Sequence, residues 1–404
     1  MRIFVILFMV LYLYTLSFGV FMTETFRIPA PIIFSFPLII LFKDPYRKFY
    51  YKKELWVIII AMFSYYIIGL EEFKYFAASV ITVIACVLYF HYFIGHNARR
   101  FNVSIFIFYS LLAFSSIVMV LNHFYPQMNT LRELIMDEQV KQSPSGIAIY
   151  QFTYGYQLAA LAPFVLIYTF LFYRRLLLVL GAFLICLIFI YLGMQRSVFI
   201  TFICSVGLFL LVYYRVKAVF IISLAIIASL SFFEFVLKQH IDSHNNILTK
   251  NMTNEPENNR KVLITENLNI YADYPLGLVF YGKNWGDVIY RNPVFYHGIT
   301  SHNAYMMFIT YLGPFLGLGL LILIFSSIVK IGYYAVKEIR YKENALLICL
   351  CFSFLGISIN ALSHNAWLIS ADGPTLFLYF AILHLDKIKK SEHIEEAEQE
   401  ADLS

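Results

Sequence analysis

"GITSHNAYMMFITYLGPFLG", residues 298–317, sets a polar tripeptide directly against an apolar run. After Ser301-His302-Asn303 come Tyr305, Phe308 and Leu312 at helical spacing, and then Gly313-Pro314 and Gly317-Leu318-Gly319 interrupt the helix. Helices broken at membrane depth line cavities, because the freed backbone groups need polar partners. The stretch predicts a membrane helix opening at a polar mouth, with Ser301 as its N-cap.

The flanking sequence supplies the membrane. The chain has 404 residues, 60% hydrophobic and 14% charged, and a mean hydropathy of +0.72, well above a soluble domain. Runs of about 20 apolar residues can cross a bilayer. They recur near 3–22, 28–42, 55–70, 75–95, 103–122, 156–172, 176–193, 198–213, 218–237, 303–329, 345–363 and 373–386. The expected fold is all-α, a polytopic membrane protein with about twelve transmembrane helices and a large external loop. Residues 1–237 would hold nine spans, 238–302 the loop with short amphipathic helices, 303–386 three more spans, and 387–404 an acidic cytoplasmic tail. The first apolar run continues into Thr23-Glu24-Thr25 with no small-residue cleavage pattern, so it reads as a retained span.

Orientation follows from Lys and Arg. With the N-terminus inside, one side collects most of the 30 basic residues, including Lys43, Arg47, Lys48, Lys52 and Lys53, Arg99 and Arg100, and Lys387, Lys389 and Lys390. The positive-inside rule then places both termini in the cytoplasm. Two outside loops, near 123–155 and 238–302, are long enough to be functional. Basic residues dispersed over short loops exclude nucleic acid as a partner. All five cysteines lie in apolar segments and read as small buried hydrophobes; Cys349-Leu350-Cys351 is too tight for a CxxC. With no HExxH and no Gly-rich phosphate loop, neither a metal nor a cofactor is expected.

Three polar stretches carry candidate chemistry. "YLGMQRSVFI", residues 191–200, puts Arg196 in a very short turn between two spans. A guanidinium beside hydrocarbon either snorkels or faces a polar cavity or an anion, and its fork matches phosphate. "NNRKVLITENLNIYADYPLGLVFYG", residues 258–282, predicts a helix from Arg260 to Tyr271. Val262, Leu263, Ile270 and Tyr271 would share one face, and Asp273-Tyr274-Pro275 would end it. Alone, that helix would be an interfacial anchor.

His302, with an ordinary pKa near roughly 6.5, can accept a proton at neutral pH. The tripeptide itself is weak evidence, because it recurs at Ser243-His244-Asn245 and Ser363-His364-Asn365. Tyr281, Trp285, Tyr290, Phe295 and Tyr296 crowd the loop before His302, as a stacking platform for sugars or as an interfacial aromatic belt. Arg291 is a further headgroup candidate or a plain surface arginine.

Together these segments resemble the O-antigen polymerase and O-antigen ligase superfamily. Three motifs carry the resemblance: Gly193-Met194-Gln195-Arg196-Ser197; Arg260 leading to Pro275-Leu276-Gly277; and His302-Asn303 with Gly313 ten residues beyond. The first half of the chain matches only as hydrophobic spans. Two departures stand out. Gly277-Leu278-Val279 replaces the family's Gly-x-Gly, and Leu316 stands where ligases carry Gly, Thr or Tyr.

The resemblance implies a metal-independent glycosyltransferase in the bacterial inner (plasma) membrane, using an undecaprenyl-diphosphate-linked oligosaccharide donor. Arg196 and Arg260 would hold the diphosphate and His302 would activate the acceptor hydroxyl. Arg291, Asn303, Tyr281, Trp285 and Tyr296 would bind substrate. A flippase and a chain-length regulator would be its partners, besides membrane lipid. A polymerase is favoured, because Leu316 leans away from the ligase. A lipid-linked oligosaccharide flippase would show two related halves, and none is visible.

Overall fold

In hydrocarbon every backbone N–H and C=O must find an internal partner, so apolar runs become helices. The computed structural model describes residues 2–22, 28–42, 49–69, 72–232, 260–289 and 301–403, and among these it is helical without strands. The α-helices are α1 (Arg2–Phe18), α2 (Ala30–Leu41), α3 (Lys52–Ile67), α4 (Phe73–Leu88), α5 (Ala98–Phe124), α6 (Met128–Met136), α7 (Gln151–Tyr168) and α8 (Leu176–Leu192). They continue as α9 (Arg196–Tyr214), α10 (Lys217–Phe232), α11 (Arg260–Asp273), α12 (Trp285–Ile289), α13 (Ala304–Leu312), α14 (Leu318–Lys337), α15 (Ala345–Asn360) and α16 (Gly373–Leu403). Arg291, Tyr290, Phe295, Tyr296 and the tripeptide at 243–245 lie outside the described residues, as does the loop from 238 to 259.

Six helical segments among the described residues are long and apolar enough to cross a bilayer: Phe73–Ile94, Ala98–Phe124, Gln151–Tyr173, Arg196–Tyr214, Ala304–Lys337 and Lys342–Ser363. Three apolar helices are shorter, at Ile3–Phe18, Ala30–Leu41 and Leu176–Leu192. About twelve spans were expected. One of these runs, 3–22, includes the turn that ends its helix. Gly19 has φ +68° and stops α1, with Val20 N donating to Thr15 O at 3.0 Å. The long helical segments point large apolar side chains outward, with Phe106 73%, Ile200 59% and Phe315 77% exposed. Such surfaces suit lipid and would aggregate in water. Cys204 is likewise exposed, so it is not one of the buried cysteines expected; it sits on an outward face of α9.

The chain forms two compact units: Met1–Leu111 with Lys261–Tyr333 and His364–Ser404, and Leu112–Arg260 with Tyr334–Ser363. In the first, α1 packs on α2 and α16, and α4 on α2 and α3. Gly373 lets α16 start against α1, since a Cβ there would lie 1.8 Å from Leu16 O. His384 of α16 donates from Nε2 to Gly95 O at 2.8 Å. A carbonyl only accepts, so Nδ1 carries no proton and accepts from the Tyr51 hydroxyl. The acidic C-terminal segment is helical, continuing α16 as far as Leu403.

In the second unit α7 is central, packed against α8, α9 and α15. Small residues permit the close approach: a Cβ on Gly356 would come within 2.6 Å of Ala159 O, and Ser353 Oγ donates to Ala160 O at 2.7 Å. The segment after α5 closes around Arg132, which has no exposed surface. Its Nε donates to Gly146 O at 2.8 Å, and its remaining N–H groups reach Asn129 Oδ1 at 2.9 Å, Ala148 O at 3.3 Å and the Ser145 hydroxyl. Burial lowers the guanidinium to about 10, with Glu133 opposing, so it stays charged at neutral pH.

Candidate functional site

The segment that opens with the polar tripeptide belongs to the first unit. Asn303, not Ser301, caps α13. Its backbone is extended and its Oδ1 accepts from Met306 N at 3.0 Å. Ser301 is 1% exposed, and its hydroxyl has no hydrogen-bond partner among the described residues. His302, between them, is partly exposed and has φ +51°. A non-glycine residue in the left-handed region persists only where its surroundings hold it, at a cost of about 1–3 kcal/mol.

The holding contact comes from the third copy of the tripeptide. Ala304 N donates to His364 O at 2.9 Å, so the first amide of α13 is taken by the chain at 364. Three residues on, the Trp367 ring packs edge-on against Tyr305 and Phe308, with centroids at 5.2 and 5.3 Å. His364 itself is 9% exposed. The repeat of Ser-His-Asn was the signal in the sequence, although nothing there showed that two copies meet.

At its other end α13 receives the second motif. Gly277 and Gly313 both have positive φ, +94° and +77°. A Cβ on Gly277 would lie 2.2 Å from Gly313 N, and one on Gly313 would lie 1.8 Å from Leu276 O. The Pro275-Leu276-Gly277 turn therefore rests backbone to backbone on the break after α13, where Gly313–Gly317 forms a π turn. Thr310 adds a hydroxyl hydrogen bond to Asn267 Oδ1, which joins α11 to α13. Both groups are buried.

Helix α11 ends at Asp273, close to the expected position. Its buried residues are Leu263, Asn267 and Ile270, one every turn. Val262 is 42% exposed and so does not share their face, because 100° per residue turns it away from Leu263. Arg260 opens the helix. Trp285, expected as a sugar platform, is 7% exposed and packs against Tyr311 with centroids at 5.2 Å. Its ring is part of the core. Tyr281 is 42% exposed and meets Tyr274 edge-on at 5.3 Å.

Arg196 belongs to the second unit and is the first residue of α9. Only Gly193, Met194 and Gln195 separate it from α8. Gln195 fixes this turn on α7: its Nε2 donates to Gln151 O at 2.8 Å, while Gln151 Nε2 donates to Gly193 O at 3.3 Å. Gly193 is required by contact, since a Cβ would meet Phe189 O at 2.8 Å and Tyr154 at 2.9 Å. A cation at the first position of a helix opposes the macrodipole, so helix stability does not account for Arg196. Along α9 from Phe199 to Tyr214 runs an apolar cavity of about 590 Å³, walled also by α7 and α8 through Ile167, Val179 and Phe183. Among the described residues no group of three or more His, Cys, Asp or Glu is arranged to hold a metal ion.

Six helices able to cross a bilayer and an apolar outer surface define a helical membrane protein. Compared with family models and with curated proteins, the chain matches none.

Proposed function

We propose that this protein is a membrane-embedded glycosyltransferase that polymerises a lipid-linked glycan. It would move a growing undecaprenyl-diphosphate-linked chain onto a new lipid-linked repeat unit at the outer face of the bacterial inner membrane. The proposal includes twelve spans, cytoplasmic termini and an external loop over 238–302.

The observation that carries it is the joining of two separate motifs. The Pro275-Leu276-Gly277 turn and the His302-Asn303-to-Gly313 segment, two of the three motifs of the resemblance, are locked together by Gly277 against Gly313 and by Asn267 with Thr310. Support also comes from α9, which combines a cation at its head with an apolar cavity along its length. An anionic lipid has that polarity. From Phe199 to Tyr214 the helix rises about 22 Å, longer than one leaflet of a hydrocarbon core about 30 Å thick. A polyprenyl or acyl chain can lie along such a cavity.

In the proposed reaction, His302 takes the proton from the acceptor hydroxyl as that oxygen attacks the anomeric carbon. The bond from that carbon to the diphosphate breaks, and the diphosphate leaves with the electron pair. Arg196 and Arg260 would stabilise the developing charge; fixed cationic donors in a low-dielectric setting do this well. Asn303 is already engaged as a helix cap, so its share in binding would be to orient His302. Roles for Arg291, Tyr281 and Tyr296 remain part of the proposal.

The test is transfer by purified protein in detergent with synthetic undecaprenyl-diphosphate repeat units and chelator. A ladder of longer glycans that disappears in Arg196→Ala and in His302→Ala, both folded, is the expected result. Transfer only when lipid A–core is added would make the protein a ligase. No transfer to either acceptor would remove the glycosyltransferase assignment.

A further inference from the structure

Two of the three Ser-His-Asn copies meet at the head of α13. We propose that His364 is a positioning residue for His302, fixing its left-handed backbone through the His364 carbonyl and the buried segment that carries it. The inference rests on His302 being the proton acceptor of the proposed reaction.

The structural basis is fourfold. The Ala304 amide follows His302 by two residues and donates to His364 O at 2.9 Å. Asn303, between them, has its side chain committed to Met306 N. His302 is thus the last residue before a helix start held from both sides, and its φ of +51° is what that start imposes. The 364 segment cannot drift, because His364 is 9% exposed and Trp367 is 2% exposed against Tyr305 and Phe308 of α13. A separate loop therefore sets where the His302 imidazole stands. A misplacement of about 1 Å at a reacting group can cost on the order of 100-fold in rate.

Two variants probe this link. His364→Ala removes the buried imidazole beside this contact and keeps the carbonyl. Ala304→Pro removes the donor and sets the ring Cδ against the His364 carbonyl, so it breaks this contact; proline is tolerated at a first helical position, and Asn303, with φ −143° and ψ 103°, already has the extended backbone that a residue before proline needs. Each variant is first matched to wild type for thermal stability in detergent.

Each is expected to lower the maximal transfer rate at least about tenfold with little change in the KM for the lipid-linked donor. In the His302→Ala background neither should lower the residual rate further, because a residue acting through His302 has nothing left to act on. Losses that multiply across that cycle would overturn the inference. A second readout does not depend on turnover: carbethoxylation of His302 by diethyl pyrocarbonate at pH 7, followed by peptide mass spectrometry. Its rate should change severalfold in both variants, and an unchanged rate overturns the positioning role. If wild type transfers nothing, the glycosyltransferase proposal fails alone, and the carbethoxylation rate still decides whether His364 positions His302.

Discussion

Gly277 and Gly313 are in backbone contact, each with a positive φ and neither with room for a Cβ. Thirty-six positions apart in the chain, they join a turn after α11 to the break after α13. Gly313→Ala should therefore be severely destabilising, by about 3 kcal/mol or more, since left-handed strain and a steric clash add. Gly319→Ala is the control. A Cβ there meets nothing within 4 Å, and alanine within α14 should stabilise by about 0.5–1 kcal/mol. Thermal unfolding in detergent measures both, and equal melting temperatures would contradict the contact.

The Thr310 hydroxyl bond to Asn267 predicts an asymmetric pair of effects. Asn267 Nδ2 is buried with no hydrogen-bond partner among the described residues. Thr310→Val would leave Oδ1 unpaired as well and should cost about 1–3 kcal/mol. Asn267→Leu with Thr310→Val removes both polar groups and should recover most of that loss. A double variant less stable than Thr310→Val alone would show that the bond does not join the helices.

Arg132 is a buried charge held by neutral acceptors, six contacts from backbone and side-chain oxygens. Arg132→Met would abandon those acceptors, with an expected cost of about 2–4 kcal/mol. Arg132→Lys should recover little, because an ammonium cannot reproduce the planar fork. Faster proteolysis between residues 137 and 148, relative to the rest of the chain, would report the same loss locally.

Asp372 precedes α16 and accepts from Thr375 N at 3.1 Å and from the Thr375 hydroxyl. Desolvation raises its carboxyl to about 6, with those two hydrogen bonds opposing. The folded state therefore holds a proton that the unfolded state, at an ordinary 3.8, has already released. Stability from this group is complete below pH 4 and is lost as pH rises through 6. Asp372→Asn keeps a good cap and should remove that decline, leaving the variant more stable than wild type by about 1–2 kcal/mol at pH 7. Melting temperatures from pH 4 to 7 that fall in parallel for both proteins would refute this assignment.

Much of the helical framework is legible in the amino-acid sequence. Hydropathy and the positions of Gly193, Gly277 and Gly313 are local properties, so they announce helices and the places where helices stop. The helix expected from Arg260 to Tyr271, which runs to Asp273, and the interruption at Gly313-Pro314 follow from composition and spacing alone. Arg196 could be placed at a turn for the same reason.

Other features needed the folded chain. Ser301 and Asn303 are both good caps, and local chemistry does not choose between them. The choice falls to Asn303 because the His364 carbonyl takes the Ala304 amide and fixes where the helix begins. Trp285 reads as an interfacial aromatic, yet its ring is buried because Tyr311 happens to face it. Nothing local in the sequence marks Arg132 for burial, and only closure of the segment to Ala148 buries it. Sequence determines what each segment prefers by itself, through hydrophobicity and backbone freedom. Contacts between residues far apart in the chain decide which of several equal local preferences is realised, because their energy exists only once the segments meet.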